Sequence, residues 1–310
     1  MKLSIVIPLY DEKESLSPLV DAIVTALKPA GCDYEIVFID DGSSDGSFEI
    51  LRELHTAHPG IIRAFRFSRN FGKAAALSVG IGKAHGDIIV TMDADLQDDP
   101  VAIPEMMALI EGGWDLVSGW KKTRHDPLLK KIPSLFWNVI TALMSGLKLH
   151  DFNCGFKAYR AETAKSLEIY GERHRYLPVL AHWNGYKITE LPVPHHPRRF
   201  GASKYHWFSR GVKGLFDLLT LLFLRKYMKN PIHLFGIIGI LLAFTGSGIL
   251  AYFGVEWIIT RHMHLRPLVL LSIGAIIMGI QFISIGLIGE LIAHQSRHET
   301  YPLRDTLEST

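Results

Sequence analysis

The chain has 310 residues, and its 33 basic and 31 acidic side chains leave a formal net charge of only +2. This length allows one sizeable domain and an appendage, and the near-neutral charge predicts no nucleic-acid partner. The two cysteines, Cys32 and Cys154, exclude a disulfide framework and fit a reducing compartment.

Apolar strand-like runs alternate with helical patterns through the first 111 residues. We predict strands over Leu3–Pro8, Tyr34–Ile39, Ile61–Phe67 and Asp87–Met92. We predict helices over Leu16–Leu27, Phe48–His55, Lys73–Ala84 and Ile103–Glu111. This alternation predicts an α/β fold with a mostly parallel sheet covered on both faces. Ligands of such sheets bind beyond the carboxyl ends of the strands.

Acidic residues follow three of the predicted strands. They lie in the segments Tyr10-Asp11-Glu12, Asp40-Asp41 and Asp93-Ala94-Asp95. In a parallel sheet these segments converge on one edge. Capping of the following helices by Asp and Ser explains part of the pattern, but it does not require three acidic clusters.

The pair Asp93 and Asp95 is the most informative of the three clusters. The i, i+2 spacing at the end of a strand places both carboxylates on one side of the backbone. Nearby carboxylates repel each other unless a cation lies between them. Mg²⁺ or Mn²⁺ suits such hard oxygen ligands and leaves positions for phosphate oxygens. A solvated acidic turn is the alternative, since an isolated Asp-x-Asp is a weak motif.

The C-terminal third carries two long apolar segments without formal charge, at 232–254 and 268–289. Each exceeds the roughly 20 residues needed to cross a bilayer as a helix, so we predict two transmembrane helices within 232–290, joined by a loop at 255–267. Eight basic residues and only one acidic residue, Asp217, lie between Arg198 and Asn230. The positive-inside rule places this flank, and the tail at 291–310, in the cytoplasm.

Two further segments, at 128–149 and 207–227, mix basic residues with large apolar ones. Basic amphipathic helices with aromatic residues lie in the plane of the lipid headgroups. A helix packed on the sheet explains the first segment equally well. The second leads directly into the first apolar segment, so we predict an amphipathic juxtamembrane helix over 206–231.

Five motifs now occur in order along the chain. They are Pro8-Leu9-Tyr10-Asp11-Glu12, Asp40-Asp41-Gly42-Ser43-Ser44-Asp45, Arg69-Asn70-Phe71-Gly72, Asp93-Ala94-Asp95-Leu96-Gln97 and Arg198-Arg199-Phe200-Gly201-Ala202-Ser203-Lys204-Tyr205. With the two apolar segments, the chain resembles the polyprenyl-phosphate glycosyltransferases, the bacterial dolichol-phosphate-mannose-synthase-like branch of the family-2 glycosyltransferases. The resemblance implies a Rossmann-like nucleotide-sugar (GT-A) domain over residues 1–205, followed by interfacial helices and two transmembrane helices.

The resemblance also implies an activity. It is the inverting, metal-dependent transfer of a hexose from a nucleotide diphosphate sugar to a polyprenyl phosphate such as undecaprenyl phosphate. The place implied is the cytoplasmic face of the inner membrane, in cell-envelope or lipopolysaccharide assembly. UDP-glucose or another UDP-sugar is favoured as donor, with GDP-mannose as the alternative. A processive membrane polysaccharide synthase, whose Gln-x-x-Arg-Trp motif is absent, and a non-enzymatic sugar-nucleotide-binding protein are the rival interpretations.

Residue roles follow from the same resemblance. The positions that hold the nucleoside are Pro8, Tyr10, Glu12 and Asp41. The positions around Mg²⁺ or Mn²⁺ and the diphosphate are Asp93, Asp95 and Gln97. The positions that face the phosphates are Arg198, Ser203 and Lys204, and Asp151 matches the position assigned as catalytic base. Of these residues, we expect Asp95, Asp151, Arg198 and Lys204 to act in catalysis.

The acceptor's chemistry limits what Asp151 must do. A phosphate monoester has a second pKa near 6 and is already nucleophilic at neutral pH, so we expect Asp151 to orient it or to accept a proton late. Arg124, Lys130 and Lys131 are candidates for binding the acceptor phosphate. A solvated face or attraction to lipid headgroups is equally compatible with them.

Two positions depart from the family's usual residues. Asp11 stands where the family usually has Asn, and Lys121 stands where relatives often place Arg. Lysine cannot make the same bidentate phosphate contact.

Glycines in the apolar segments allow close helix packing, which is compatible with a homo-oligomer; they include Gly236, Gly239, Gly246, Gly248, Gly274 and Gly279.

Overall fold

The computed structural model describes residues 2–122, 138–167, 169, 173–200, 231–261 and 267–295. The chain forms two compact units, Met1–Gly214 and Leu215–Thr310. The juxtamembrane helix predicted over 206–231 lies outside the described residues except for Pro231. Five predicted site residues also lie outside them: Arg124, Lys130, Lys131, Ser203 and Lys204.

The first unit is built on a seven-stranded sheet in the order β3-β2-β1-β4-β6-β5-β7. The strands are β1 (Leu3–Leu9), β2 (Tyr34–Asp40), β3 (Ile62–Arg66), β4 (Ile88–Thr91), β5 (Leu116–Trp120), β6 (Lys157–Arg160) and β7 (Ile188–Pro192). The first four helices are α1 (Leu16–Leu27), α2 (Ser47–Ala57), α3 (Lys73–Lys83) and α4 (Ile103–Glu111). Shorter helices follow at 138–145, Ala161–Ser166 and Leu177–Trp183.

β1 is the centre of the parallel half of the sheet. Every residue of Leu3–Leu9 is buried, as expected for a strand covered on both faces. It pairs in parallel with β2 on one side and with β4 on the other. The α/β architecture predicted from the alternating pattern is therefore confirmed, and the predicted element bounds differ from the observed ones by at most two residues.

The other half of the sheet was not predicted. β6 pairs antiparallel with both β4 and β5, and β5 pairs in parallel with β7. These strands have four or five residues each, too few for a periodic pattern to distinguish a strand from a short buried helix. β6 matters for the site because it returns the chain beside the end of β4.

The second unit contains two helices, Pro231–Thr260 and Pro267–Gln295. Both are long and apolar enough to cross a membrane. The first runs six residues beyond the apolar segment 232–254, so Glu256 lies in the helix and not in the predicted loop. The helix continues through Glu256 because no proline follows Gly254 to end it. A single glutamate near the end of a membrane-spanning helix is compatible with that position.

The two apolar helices pack closely through glycines. A Cβ atom on Gly239 would lie 2.6 Å from the carbonyl oxygen of Gly279, and one on Gly246 would lie 2.6 Å from that of Ser272. Only glycine allows backbones to approach this closely. These glycines therefore serve the helix pair within one chain, and assembly into a homo-oligomer stays a prediction.

Candidate active site

The three acidic segments lie at one edge of the sheet. The register pairs Leu9 of β1 with Asp40 of β2, so both strands end at the same level. On the other side of β1, β4 ends at Thr91, two residues before Asp93. This is the carboxyl edge where ligands of parallel sheets bind. The convergence expected from the sequence is present in the structure.

Asp41 organises the loop that follows β3. Its two carboxylate oxygens accept hydrogen bonds from the backbone N–H groups of Phe71, at 2.7 Å, and Gly72, at 2.9 Å. Burial raises the pKa of Asp41 above its ordinary value, although both N–H groups oppose the change. Gly42 has φ +77°, and a Cβ atom there would meet the backbone of Arg69 at 2.6 Å. The segment Asp40-Asp41-Gly42 thus holds the Arg69-Asn70-Phe71-Gly72 motif in place.

A second set of contacts fixes the turn after β1. Asp11 adopts a left-handed conformation with φ 49°, which Asp and Asn tolerate better than other side chains. Its N–H donates to the hydroxyl of Ser43 at 2.8 Å, and its carboxylate accepts the N–H of Ser44 at 2.8 Å. An amide oxygen can accept the same bond, so Asp11 can replace the family's usual Asn. Tyr10, just before this turn, is 37% exposed and Pro8 is buried within β1.

Asp93 forms an ion pair that the sequence analysis did not anticipate. The Nζ atom of Lys73, the first residue of α3, lies 2.5 Å from Asp93 Oδ1. Burial raises the pKa of Asp93, but the Lys73 ammonium outweighs that effect and holds the pKa at about 2. On its other side the carboxylate faces Gly155, whose Cβ would lie 2.9 Å from Oδ2. The motif Arg69–Gly72 indicated the loop, but no spacing rule indicated that Lys73 would reach Asp93.

Asp95 lies in a different electrostatic environment. Burial and the neighbouring carboxylates of Asp93 and Asp98 raise its pKa to about 6. Leu96 has φ 59°, and this turn brings the backbone N–H of Gln97 to 3.2 Å from Asp95 Oδ1. One carboxylate of the pair is thus held by the Lys73 ammonium, whereas at Asp95 the charge of Arg198 only partly offsets burial and the neighbouring carboxylates.

Lys121 is engaged within the protein. Its Nζ atom lies 2.9 Å from Asp98 Oδ1, and the Asp98 side chain is fully buried. Burial opposes the charged form, but Asp98 raises the pKa of Lys121 well above its ordinary value. Lys121 therefore neutralises the buried Asp98 carboxylate. This ion pair needs only a point charge, so a lysine can form it without the bidentate phosphate contact of an arginine.

The two adjacent histidines contact different carboxylates. His195 Nδ1 lies 4.0 Å from Asp98 Oδ1, and His196 Nε2 lies 3.0 Å from Asp99 Oδ2. The backbone of His196 forms two hydrogen bonds with Gln97. The His196 N–H donates to the Gln97 carbonyl at 2.8 Å, and the His196 carbonyl accepts a hydrogen bond from Gln97 Nε2 at 3.4 Å. This pairing orients the Gln97 side chain at the edge of the site.

Arg198 and Glu12 meet across the site. The guanidinium Nη2 of Arg198 forms an ion pair with Glu12 Oε1, and Nε donates to the carbonyl of Phe200 at 3.0 Å. The first and last motifs of the chain are therefore joined, 186 residues apart in sequence. The two residues were assigned separately to the nucleoside and to the phosphates, and the structure places them side by side.

Asp151 lies in the loop before β6 and is almost fully buried. Its Oδ1 accepts the N–H of Asn153 at 3.2 Å. At the start of β6, Lys157 is buried and donates to the carbonyl of Cys154, and burial lowers the pKa of its ammonium. A lysine between Phe156 and Ala158 in a strand is a sequence signal for a special position, and it was overlooked.

His174 is a further buried polar group near Asp93. It lies in the 3-10 turn Arg173–Tyr176, which packs against α3. Burial, followed by the positive charge of Lys73, lowers its pKa to about 3. His174 is therefore neutral near pH 7 and presents no positive charge to Asp93.

The residues present fit a divalent cation. Asp93 and Asp95 supply carboxylate oxygens and Gln97 an amide oxygen, the hard ligands that Mg²⁺ and Mn²⁺ prefer. The raised pKa of Asp95 reflects negative charge that a cation would relieve. Within the described residues, no group of three or more His, Cys, Asp or Glu side chains converges as a metal site. Two carboxylates suit an ion whose remaining ligands come from phosphate oxygens.

The fold and this edge of the sheet are those of a glycosyltransferase. Residues 4–167 match the family model of glycosyl transferase family 2, and the chain belongs to that family. Within it, the resemblance to polyprenyl-phosphate glycosyltransferases is confirmed by similar curated proteins.

Two such relatives illustrate the similarity. The dodecaprenyl-phosphate galacturonate synthase of Rhizobium johnstonii is 36% identical over 94% of this chain and 88% of its own length. The undecaprenyl-phosphate 4-deoxy-4-formamido-L-arabinose transferase of Yersinia pestis is 36% identical over the same shares.

Solved structures share the fold at lower identity. The glucosyl-3-phosphoglycerate synthase of Mycobacterium tuberculosis, in complex with Mn²⁺, UDP and phosphoglyceric acid, superposes with a TM-score of 0.55 at 19% identity. That match covers 71% of this chain and 77% of the synthase chain. A complex of the same synthase with Mg²⁺ and UDP gives a TM-score of 0.53.

Proposed function

We propose that this protein transfers a sugar from a UDP-linked donor to undecaprenyl phosphate or a similar polyprenyl phosphate, with inversion and with Mg²⁺ or Mn²⁺. One observation carries the proposal. The carboxylates of Asp41, Asp93 and Asp95 share the carboxyl edge of a parallel sheet, in a chain with two apolar helices long enough to span a bilayer. The acidic edge of the sheet suits a water-soluble nucleotide-sugar donor, and the two apolar helices suit an acceptor that lies in the membrane.

Asp93, Asp95 and Gln97 are the residues that would hold the divalent ion. When bound, this ion supplies positive charge to the diphosphate leaving group. The presence of Mn²⁺ or Mg²⁺ beside UDP in the structurally similar synthase supports its use here. Asp41 serves the donor indirectly, because it fixes the backbone of the Phe71–Gly72 loop beside the site.

Arg198 is proposed to stabilise the charge that develops on the leaving diphosphate. It lies in the site through its pair with Glu12, and a preorganised positive charge lowers the barrier most where new charge forms. Lys204, six residues later in the same motif, is proposed to act in the same way. Asp151 orients the acceptor phosphate, which needs no strong base.

The sugar is the open part of the assignment. The two relatives carry galacturonate and 4-deoxy-4-formamido-L-arabinose in their names, whereas the family resemblance favoured UDP-glucose or another UDP-sugar. We propose a UDP-linked hexose, hexuronate or pentose and rank UDP donors above GDP-mannose. The same relatives argue against a processive polysaccharide synthase and against binding without transfer.

The acceptor and the membrane topology belong together. We propose that the two apolar helices cross the inner membrane and that the basic flank between Arg198 and Asn230 keeps the catalytic unit in the cytoplasm. Arg124, Lys130 and Lys131 are proposed to meet the acceptor phosphate at the membrane surface. The product would be a lipid-linked sugar for cell-envelope glycans.

The test is a transfer assay with purified full-length protein in detergent. Radiolabelled UDP-glucose, UDP-galacturonate, UDP-4-deoxy-4-formamido-L-arabinose and GDP-mannose are each incubated with undecaprenyl phosphate and Mn²⁺, and the lipid phase is extracted. One UDP-sugar should yield labelled lipid phosphate, and excess chelator should stop the reaction until Mn²⁺ or Mg²⁺ is restored. Label in an insoluble polymer, or no label in lipid with any donor, would refute the proposal.

A further inference from the structure

Lys73 occupies the position at Asp93 that an incoming metal ion requires. Its Nζ atom lies 2.5 Å from Oδ1, and the two side chains are 27% and 32% exposed. A Cβ atom built on Gly155 would lie about 3 Å from both carboxylate oxygens, so the Gly155 backbone packs beside that side of the carboxylate. An ammonium and a divalent cation repel each other strongly at such distances. Lys73 must therefore leave Asp93 Oδ1 when the metal binds there.

The backbone position of Lys73 is set by Asp41, which holds the two residues before it. Lys73 begins α3 directly after Gly72, whose N–H is bound by Asp41 at 2.9 Å. Phe71, one residue earlier, is bound by the other oxygen of Asp41 at 2.7 Å. One short segment thus connects the carboxylate after β2 with the carboxylate after β4. A displaced Lys73 ammonium stays in the site, because its backbone is held.

We propose that Lys73 is a tethered cation that exchanges partners during donor binding, from Asp93 to the donor's diphosphate. This inference rests on the proposed function for its ligand and adds a residue to which that function assigns no role. The displaced ammonium needs an anion, and a lysine can contact a phosphate as a point charge. Metal alone supplies no such anion, whereas metal with a nucleoside diphosphate supplies it.

The exchange predicts coupled binding. In the wild type, the metal ion must displace Lys73 without compensation unless the diphosphate is present, so each ligand should tighten the other by the same factor. Without the ammonium, this competition disappears. Lys73→Met should therefore bind metal alone more tightly than the wild type and should show a smaller tightening by UDP.

The experiment measures Mn²⁺ affinity of the full-length protein in detergent from the electron paramagnetic resonance signal of free Mn²⁺, with and without UDP. For Lys73→Met we expect Mn²⁺ alone to bind roughly two- to fivefold more tightly, the range set by a partly exposed ion pair. We also expect the effect of UDP on Mn²⁺ affinity to fall by a similar factor. Neither readout requires turnover or knowledge of the sugar.

Lys83→Met is the matched control. Lys83 ends the same helix, is exposed and stacks on Phe65, so the variant removes one positive charge at a distance from Asp93. Its Mn²⁺ affinity and UDP coupling should equal those of the wild type. A Lys73→Arg variant, which keeps the charge, should bind Mn²⁺ no more tightly than the wild type, and thermal melts should show that every variant is folded.

Two outcomes would overturn the inference. One is a folded Lys73→Met variant that binds Mn²⁺ no more tightly than the wild type, and the other is an unchanged effect of UDP. Either would leave the transferase proposal intact if lipid-linked product still forms. A wild type that binds no Mn²⁺ even with UDP would overturn the inference together with the metal assignment, and the lipid assay alone would then decide the transfer activity.

Discussion

Gly155 lies directly against the carboxylate of Asp93. A Cβ atom on Gly155 would come within 2.9 Å of Oδ2 and 3.0 Å of Oδ1, closer than such atoms approach without a shift of one of them. The carbonyl of Gly155 is fixed at the same time by the hydroxyl of Thr91 at 2.9 Å. The loop before β6 therefore determines where this carboxylate can stand.

Gly155→Ala should impair transfer more than it impairs folding. The added methyl group would push the Asp93 carboxylate by a few tenths of an ångström, and small misplacements at reacting groups cost about tenfold or more in rate. The measurement is kcat/KM for the donor beside the melting temperature. Gly82→Ala is the control, because nothing lies within 4 Å of its Cβ position; equal losses in both variants would contradict the role of the Gly155 contact.

Asp95→Asn should stabilise the metal-free protein while abolishing transfer. Burial and the carboxylates of Asp93 and Asp98 raise the pKa of Asp95 from 3.8 to about 6. A carboxyl group with a raised pKa in the folded state loses stability as the pH rises from its unfolded value through its folded one. Above pH 6 the amide should be more stable by about 1–2 kcal/mol, after a discount for partial exposure.

Thermal melts in chelator between pH 4 and pH 8 measure this effect. The difference between Asp95→Asn and the wild type should be near zero at pH 4, grow up to about pH 6.5 and then stay constant. A difference that is largest at low pH would contradict the assignment. The transfer assay with saturating Mn²⁺ should show loss of activity, because an amide is a much weaker ligand than a carboxylate.

The parallel half of the fold could be predicted because its signals are local. Leu3–Leu9 is a continuous apolar run, and the acidic residues directly after β1, β2 and β4 needed only the rule that parallel strands share an edge. The strand β6 could not be predicted in this way, because its place between β4 and β5 depends on antiparallel pairing between distant segments.

The site was predicted as a set of residues but not as a set of contacts. Asp93 and Asp95 were expected to act alike, whereas Lys73 holds one carboxylate and leaves the other with a raised pKa. Lys121 was noted only as a lysine where relatives often have arginine, and it is paired with Asp98. Side-chain partners of this kind depend on tertiary positions that no sequence period encodes, so only the structure reveals them.

Lys121→Met should destabilise the fold. It would leave the fully buried Asp98 carboxylate without its cation, and removing one partner of a buried ion pair costs about 3–5 kcal/mol. Lys122→Met is the control, since Lys122 is exposed and should change stability by less than about 1 kcal/mol. The double variant Lys121→Met/Asp98→Asn should recover most of the melting temperature; failure to recover would show that Lys121 has another structural partner.

The pair of Arg198 and Glu12 allows a test that separates pairing from phosphate binding. Arg198→Ala should lower kcat by about 100-fold, the effect typical of removing one group that stabilises developing charge. It should lower stability by no more than about 1 kcal/mol, because the pair is partly exposed. The double variant Glu12→Arg/Arg198→Glu keeps an ion pair but moves the positive charge to the other side of the site.

The swap distinguishes two roles of Arg198. If Arg198 only orients Glu12, the swapped pair should restore both the melting temperature and part of the turnover lost in Arg198→Ala. If the guanidinium contacts the leaving diphosphate, the swap should restore stability while kcat stays as low as in the single variant. We expect the second outcome, because the Arg198 side chain remains 23% exposed beside its carboxylate, so a diphosphate can approach the guanidinium from solvent. Recovery of turnover by the swap would assign Arg198 a purely structural task.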